Sequence, residues 1–376
     1  MVVARIAIVG GGLAGLYAAF RLEQRGIEDY VLLEARHTYG GRIESVSSGE
    51  FSVSGGSNVQ RDLDRFDLGA TWFWPTLQPR LDRLVRELGL ERFEQNETGD
   101  IVVERSPHQL PTHMGSYATS PQAVRLVGGM SALVDALHRK LTTTRLRGDQ
   151  RVRHMRCAGD RIELNVEDSH GQLTSCSVEQ VLLAVPPRLA AATIGFQPEL
   201  PNTLVRAWRD TATWMARHAK YIAIYDTPFW REQGLSGEGR SACGPLTEIH
   251  DASMPGGSAG LSGFIGVPAL IRRKTSPSAL RALCRAQLER MFGPQAAAPK
   301  AMVVKDWAED VLTATEADQD AGVQQHGSAP AASPTSGVWC GRLVGVASEW
   351  ASHFPGYVAG AIEAADHGVQ MLLEGQ

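Results

Sequence analysis

The run RIAIVGGGLAGLYAAFRLEQRGIEDYVLLE, residues 5–34, decides the fold. Residues 5–9 form a short apolar stretch that ends in Gly10-Gly11-Gly12. From Leu13 to Arg25 the apolar residues Leu16, Ala19, Phe20 and Leu22 recur at helical spacing. Residues 30–33 are a second apolar stretch, closed by Glu34. The order is strand, turn, helix, strand. Gly10-x-Gly12-x-x-Gly15 lies where the first strand gives way to the helix. Gly10 permits the tight turn, Gly12 lets a pyrophosphate approach the backbone, and Gly15 lets helix pack on strand. Leu13, Ala14 and Gly15 open the helix, whose free N–H groups and partial positive charge favour phosphate. Glu34 lies close to the spacing of about 20 residues at which a carboxylate meets ribose hydroxyls.

Outward from this unit, residues 80–88 read as a helix stopped by Gly89, and residues 131–141 as a helix after Gly128-Gly129. Three alternating segments, 151–157, 161–166 and 172–178, are separated by turns at Gly159-Asp160 and His170-Gly171, which predicts a β-meander. Residues 181–185 are solidly apolar and closed by Pro186-Pro187, as a buried parallel strand requires. Further strands are expected at 221–225, 261–265 and 343–346, and a last helix over 357–373. Residues 319–337, rich in Ala, Gly, Ser, Gln and Pro, read as a surface loop. Pieces of one nucleotide-binding sheet therefore recur at both ends and in the middle of the chain. The expected division is a discontinuous cofactor domain, residues 1–75, 124–200 and 338–376, and a second domain from residues 76–123 and 201–337.

The chain has 376 residues, long for a single core. Its formal charge is −4, and its 37 Lys and Arg are scattered, so no nucleic-acid partner is expected. No apolar run approaches the roughly 20 residues of a membrane helix, and no membrane association is expected. Residues 1–8 already read as a strand, without the regions of a signal peptide. Five dispersed cysteines fit reduced thiols, so the expected location is cytoplasmic, with no metal site. Nothing in the sequence specifies an oligomeric state.

The residues that follow distinguish FAD from NAD. LLEARHTYGGRIES, residues 32–45, resembles the second signature of the flavin-containing amine oxidase family. In that family Ala35 follows the ribose-binding acid, and Gly40, Gly41 and Arg42 continue the pyrophosphate and flavin-side contacts. The resemblance runs through nearly the whole chain. DLGATWFWP, residues 67–75, is similar to the loop that reaches the flavin, which implies contacts from Gly69, Ala70, Thr71 and Trp72. Gly128-Gly129-Met130 matches a glycine-glycine-methionine element, and Val152 sits where a backbone contact to adenine falls. VLLAVPPRLA resembles the strand that closes the cofactor sheet, and VASEWASHFPGYVAGAIEA, residues 346–364, resembles the C-terminal FAD segment.

That segment implies a role for Glu349 beside the ribityl chain, and for Gly356, Tyr357 and Val358 at a helix start facing the flavin. Tyr357 aligns with one wall of an aromatic cage for the substrate amine. Lys220, between WMARHA and YIAIY, aligns with the lysine that holds a water near flavin N5. A lysine at the entry of an inner strand is unusual in itself. Trp307, in KDWAED, matches a flavin-side tryptophan. Trp72, Phe73 and Trp74 either line the pocket or fill the core.

The chain also departs from the family. Residues 80–128 are too few for the helical arm of larger members. Residues 311–318 hold neither a second cage aromatic nor the cysteine that attaches flavin covalently. The resemblance thus implies an α/β chain with a Rossmann-type FAD domain, an inserted mixed-sheet α+β substrate domain and non-covalent FAD. Its implied reaction is oxidation of an amine: hydride passes to flavin N5 from the carbon next to nitrogen, the imine hydrolyses, and O2 or another acceptor reoxidises the flavin, O2 giving H2O2. The alternatives are a flavin-dependent C–C desaturase of the protoporphyrinogen-oxidase kind, and a degenerate FAD-binding scaffold.

Overall fold

The computed structural model describes residues 2–51, 63–115, 119–319 and 328–374. It divides into two compact units, residues 1–43, 133–214 and 311–376, and residues 44–132 and 215–310.

The first unit is built on a five-stranded parallel sheet. Its order is Leu146–Arg147, Tyr30–Leu33, Ile6–Val9, Gln180–Leu183, Leu343–Gly345. The register runs Ile6↔Tyr30 to Val9↔Leu33 on one side of the central strand and Gln180↔Ile6 to Leu183↔Val9 on the other. Both faces are covered, which is why Ile6–Val9 and Tyr30–Leu33 are apolar at every position and Gln180–Leu183 at all but its first. Ala7, Val9, Val181 and Leu183 pack toward the meander core with Met155, Ile162 and Leu164. Leu182 faces the last helix, Val358–Glu374, where a Cβ on Gly368 would lie 2.2 Å from Val346 Cγ1. The helix Leu13–Gln24 is tied to that last helix by Arg21 Nε to Asp366 Oδ1, 2.8 Å. The meander is the expected one, with strands Gln150–Ala158, Arg161–Asp168 and Leu173–Val178.

The second unit is a seven-stranded mixed sheet. Its order is Ala301–Asp306, Ala219–Tyr225, Ala259–Ile265, Leu246–Asp251, Leu235–Ser241, Asp100–Glu104, Thr112–Met114. In the fully buried strand Ala219–Tyr225, alternation sends Tyr221, Ala223 and Tyr225 to a helix that supplies Leu280, Cys284, Leu288 and Phe292. Ile222 and Ile224 face Val46, Phe66 and Leu68. That covering helix, Pro277–Phe292, is not among the elements expected above, although its signals are present. Ser276 caps Ala279 N–H, Pro277 takes the first position, and Gly293 follows the end with φ +90°.

The units part from the expected division at its seams. Residues 44–75 and 124–132 belong to the second unit, because Ser45–Ser47 pairs with Arg65–Asp67 and Phe66 lies in that unit's core. Residues 201–214 and 311–337 belong to the first, because Trp208 is buried in the meander core and donates to Ala331 O. Of the expected loop at 319–337, residues 320–327 lie outside the described residues. Among the described residues between Glu87 and Gly128 there are only short strands and irregular chain.

Candidate active site

In the first unit the glycine turn is locked by sterics. Gly10 has φ +108°, and a Cβ there would lie 2.8 Å from Ala184 O. A Cβ on Gly15 would lie 1.9 Å from Gly10 O, so only glycine lets the helix start this close to the strand. Gly12 differs: it has ordinary backbone angles, and its Cβ would meet nothing nearer than Gly40 O at 3.7 Å. Gly12 is the N-cap, and no side chain caps this helix start. The second glycine pair packs on the first, with Gly40 N–H donating to Gly11 O at 2.9 Å. Glu34 is buried beside both. Its Oε2 accepts from Gly11 N–H at 2.6 Å, and its Oε1 from Arg36 N–H at 2.8 Å, across Ala35. Val152 is buried in a neighbouring strand at a register shift between Val152 and His154.

Arg42 and Glu349, expected to meet the cofactor separately, meet each other. Arg42 Nη1 donates to Glu349 Oε1 at 2.5 Å and Nη2 to Oε2 at 2.9 Å, a bidentate pair. Arg42 also donates to Trp214 O at 3.0 Å, and Trp214 N–H to Glu349 Oε1 at 3.3 Å. The Trp214 ring stacks near Tyr357, with centroids 6.5 Å apart and planes 21° from parallel. Tyr357 follows Gly356, whose φ is +82°, and Val358 begins the last helix. No reading of the sequence above singled out Trp214.

In the second unit Lys220 is only 1% exposed. Its Nζ donates to Thr71 Oγ1 at 2.6 Å and to Gly69 O at 3.3 Å. The ring centroids of Trp72 and Phe264 lie 5.6 and 5.7 Å from it. Burial pulls its pKa from 10.5 down to about 8, Asp67 opposing and Arg125 reinforcing the fall. Asp67 is itself buried, which raises its carboxyl; its Oδ1 accepts from Ser45 Oγ at 2.6 Å and Met130 N–H at 2.7 Å. Trp307 is fully buried and donates from Nε1 to Leu68 O at 3.0 Å, so it braces the loop that carries Gly69 to Trp72. Ala70 lies within the same loop. Phe73 is fully buried, whereas Trp72 and Trp74 are half-buried.

Several polar residues of this unit carry no motif. Arg125, 2% exposed, donates to Ser253 O at 3.0 Å and Ala252 O at 2.9 Å, and burial lowers its pKa. Gln95 accepts from Trp72 Nε1 at 2.7 Å and donates to Asp251 O at 2.9 Å. Both line a cavity of about 770 Å³ with Phe93, Arg231, Asp251 and Met254. His250 packs edge-on against Trp72, centroids 4.8 Å apart. For His250 the available signal was strand alternation, but placing it beside Lys220 needs the strand register.

A family model described as flavin-containing amine oxidoreductase matches residues 93–373. The chain belongs to that family. A second model, NAD(P)-binding Rossmann-like domain, matches residues 8–88. This flavin-containing amine oxidoreductase is 24% identical to amine oxidase [flavin-containing] B of Sus scrofa, over 98% of this chain and 86% of the relative. Its fold is that of putrescine oxidase bound to putrescine, TM-score 0.75 at 20% identity, with 99% of each chain covered. It is also that of cyclohexylamine oxidase from Brevibacterium oxydans, TM-score 0.76 at 18% identity and 99% coverage of this chain.

The amine oxidoreductase is therefore a flavoprotein whose cofactor is FAD. The first unit fits that group. The helix start at Leu13 has no side-chain cap, the position of Gly12 is open where a Cβ would otherwise project, and a buried carboxylate stands beside it. Each Glu34 oxygen has one protein donor, and a carboxylate has about four lone-pair sites, so acceptor capacity remains for ribose hydroxyls. Among the described residues no group of His, Cys, Asp and Glu is arranged to hold a metal ion. No described helix is long and apolar enough to cross a membrane.

Proposed function

We propose that the first unit holds FAD non-covalently and that the protein oxidises an amine. FAD, when bound, supplies the acceptor for a hydride equivalent from the carbon next to nitrogen. Gly12, Leu13, Ala14 and Gly15 would hold the pyrophosphate, Glu34 a ribose, and Val152 the adenine through its backbone. Gly356, Tyr357 and Val358 would meet the flavin through the last helix start, and Glu349, paired with Arg42, the ribityl side. Non-covalent attachment is supported by the absence of cysteine from residues 311–318. Reduced cysteines agree with a cytoplasmic setting, since all five are free.

The observation that carries the amine reading is Lys220: a buried cation among aromatic rings, in a chain of this family. Two of its three N–H donors have protein acceptors. The third is free to hold a water, and that water serves imine hydrolysis or reoxidation by O2. Tyr357 and Trp214, near-parallel, offer ring faces to an amine. A C–C desaturase forms no imine, so the hydrolytic use of that water would be absent from it.

An anaerobic panel of primary, secondary and polyamines, read by bleaching of the flavin band, tests this. At least one amine should reduce the flavin fully. Flavin that stays oxidised with every amine would refute the proposal.

A further inference from the structure

The face of the sheet that carries Lys220 holds a second polar group with no task assigned. Strand register sets Lys305, Lys220, Phe264, Glu248 and Arg240 in one row across four neighbouring strand pairs. His250 stands two residues along from Glu248, hence on the same face, opposite Ser262. Its Nε2 lies 2.7 Å from Glu248 Oε1. Glu248 Oε2 in turn accepts from Arg240 Nη1 at 2.8 Å. The bond from His250, with Arg240 adding to it, holds the Glu248 carboxyl below its usual range. With Nε2–H given to Glu248, Nδ1 is the basic nitrogen of the ring, and no partner for it occurs among the described residues. Trp72 bridges the two groups, its ring in contact with His250 and near Lys220 Nζ.

An amine gives up hydride only as the neutral base, because its lone pair must be available to form the C=N bond. Lys220, with the charge of Arg125 acting on it, makes this face unfavourable for a further cation. The ammonium proton therefore needs an acceptor on the same face. Glu44 is engaged by Lys305, and Asp67 is fully buried on Ser45 and Met130. Glu248 is shared by Arg240 and His250. His218, beyond the Phe264 ring, has its pKa pulled down to about 4 by burial and is too weak a base to take a proton from an ammonium group at neutral pH. His250 is what remains.

We propose that His250, backed by Glu248, takes the proton from the substrate's ammonium group. This rests on the amine-oxidation reading above. The N–H bond of the ammonium breaks, its electron pair stays on nitrogen, and the proton bonds to His250 Nδ1. The Glu248 carboxylate opposes the imidazolium charge. The His250 side chain is 16% exposed, so the proton then passes to water. The step consumes no oxidant.

The experiment uses the full-length, FAD-loaded protein and anaerobic stopped-flow flavin reduction across pH. The probes are the fastest amine of the panel and a fluorinated analogue of it with a less basic nitrogen. His250→Gln should slow reduction at pH 7 by about 10²-fold or more, the range of a positioned proton-transfer group. The gap should close as pH rises toward the amine's own ionisation, and it should be smaller for the fluorinated analogue. Glu248→Gln should lose less at pH 7 and move the acid limb to lower pH, because the imidazolium loses its counter-charge. A loss that is equal at every pH would mark His250 as structural and overturn the proposal, as would wild-type rates at pH 7. If His250→Gln fails to retain FAD, the Glu248→Gln profile decides: an acid limb that does not move overturns it. A wild type that no amine reduces would instead overturn the amine reading, a result distinct from any of these.

Discussion

Lys220→Met should make the protein more stable and slower at once. Burial takes the Lys220 pKa from 10.5 to about 8, which corresponds to roughly 3 kcal/mol of cost to the charged form on folding. Methionine keeps the stem and removes that cost. It also removes the donors to Thr71 and Gly69, each worth about 1 kcal/mol. The net gain at pH 7 is then about 1 kcal/mol, or a melting temperature higher by roughly 1–2 °C for a chain of this length. The pH dependence has a definite sign. Below about pH 8 both folded and unfolded wild type are protonated at this site and the full cost applies. Between about 8 and 10.5 the folded state sheds the proton first, so wild-type stability rises with pH through that window and the variant's advantage disappears. Turnover should fall at least tenfold, toward the roughly 10²–10⁴-fold typical of a positioned group, with the deficit in flavin reoxidation or imine hydrolysis. The assay is thermal melting at saturating FAD from pH 6 to 11, beside stopped-flow measurement of the reductive and oxidative halves. A variant less stable than wild type at pH 7, with no convergence at high pH, would refute the burial argument. Unchanged rates in both halves would make Lys220 a structural residue.

Three further outcomes follow from the first unit. Gly12→Ala should fold normally, since its Cβ meets nothing closer than 3.7 Å, yet bind FAD much more weakly; wild-type affinity by apoprotein titration would put the pyrophosphate elsewhere. Glu34→Ala should weaken FAD binding by roughly 10- to 150-fold, the equivalent of one charged hydrogen bond of about 1.5–3 kcal/mol, and should also loosen the turn through Gly11 N–H; unchanged affinity would mean that the ribose is misplaced. Arg42→Met leaves Glu349 buried without its bidentate partner and should cost about 3–5 kcal/mol; chemical denaturation should show much of it recovered in Arg42→Met/Glu349→Gln.

How far the sequence alone reaches is set by the range of the interactions involved. Gly10, Gly12, Gly15 and Glu34 lie within one βαβ unit, where turn sterics, helix periodicity and strand length act over a few residues and leave a readable pattern. The parallel strand at 180–183 and the meander are legible for the same reason. Lys220 is conspicuous in sequence as a lysine inside an apolar strand, but its company is not. Thr71 and Gly69 approach it from about 150 residues away, with Trp72 on the same loop, and Phe264, Glu248 and His250 join only through the register of the sheet. A one-residue slip would send those side chains to the opposite face, and nothing local specifies the choice. Arg42 and Glu349, separated by 307 positions, each suggest a cofactor contact when read singly. Only folding reveals that a buried carboxylate and a half-buried guanidinium are brought together, because an unpaired charge in that interior is too costly to leave. The seams between the units were decided in the same way, by which core buries Phe66 and which buries Trp208. Burial is a property of the assembled chain, so the sequence determined the nucleotide-binding turn and the class of chemistry, and the tertiary structure determined which side chains surround the reacting groups.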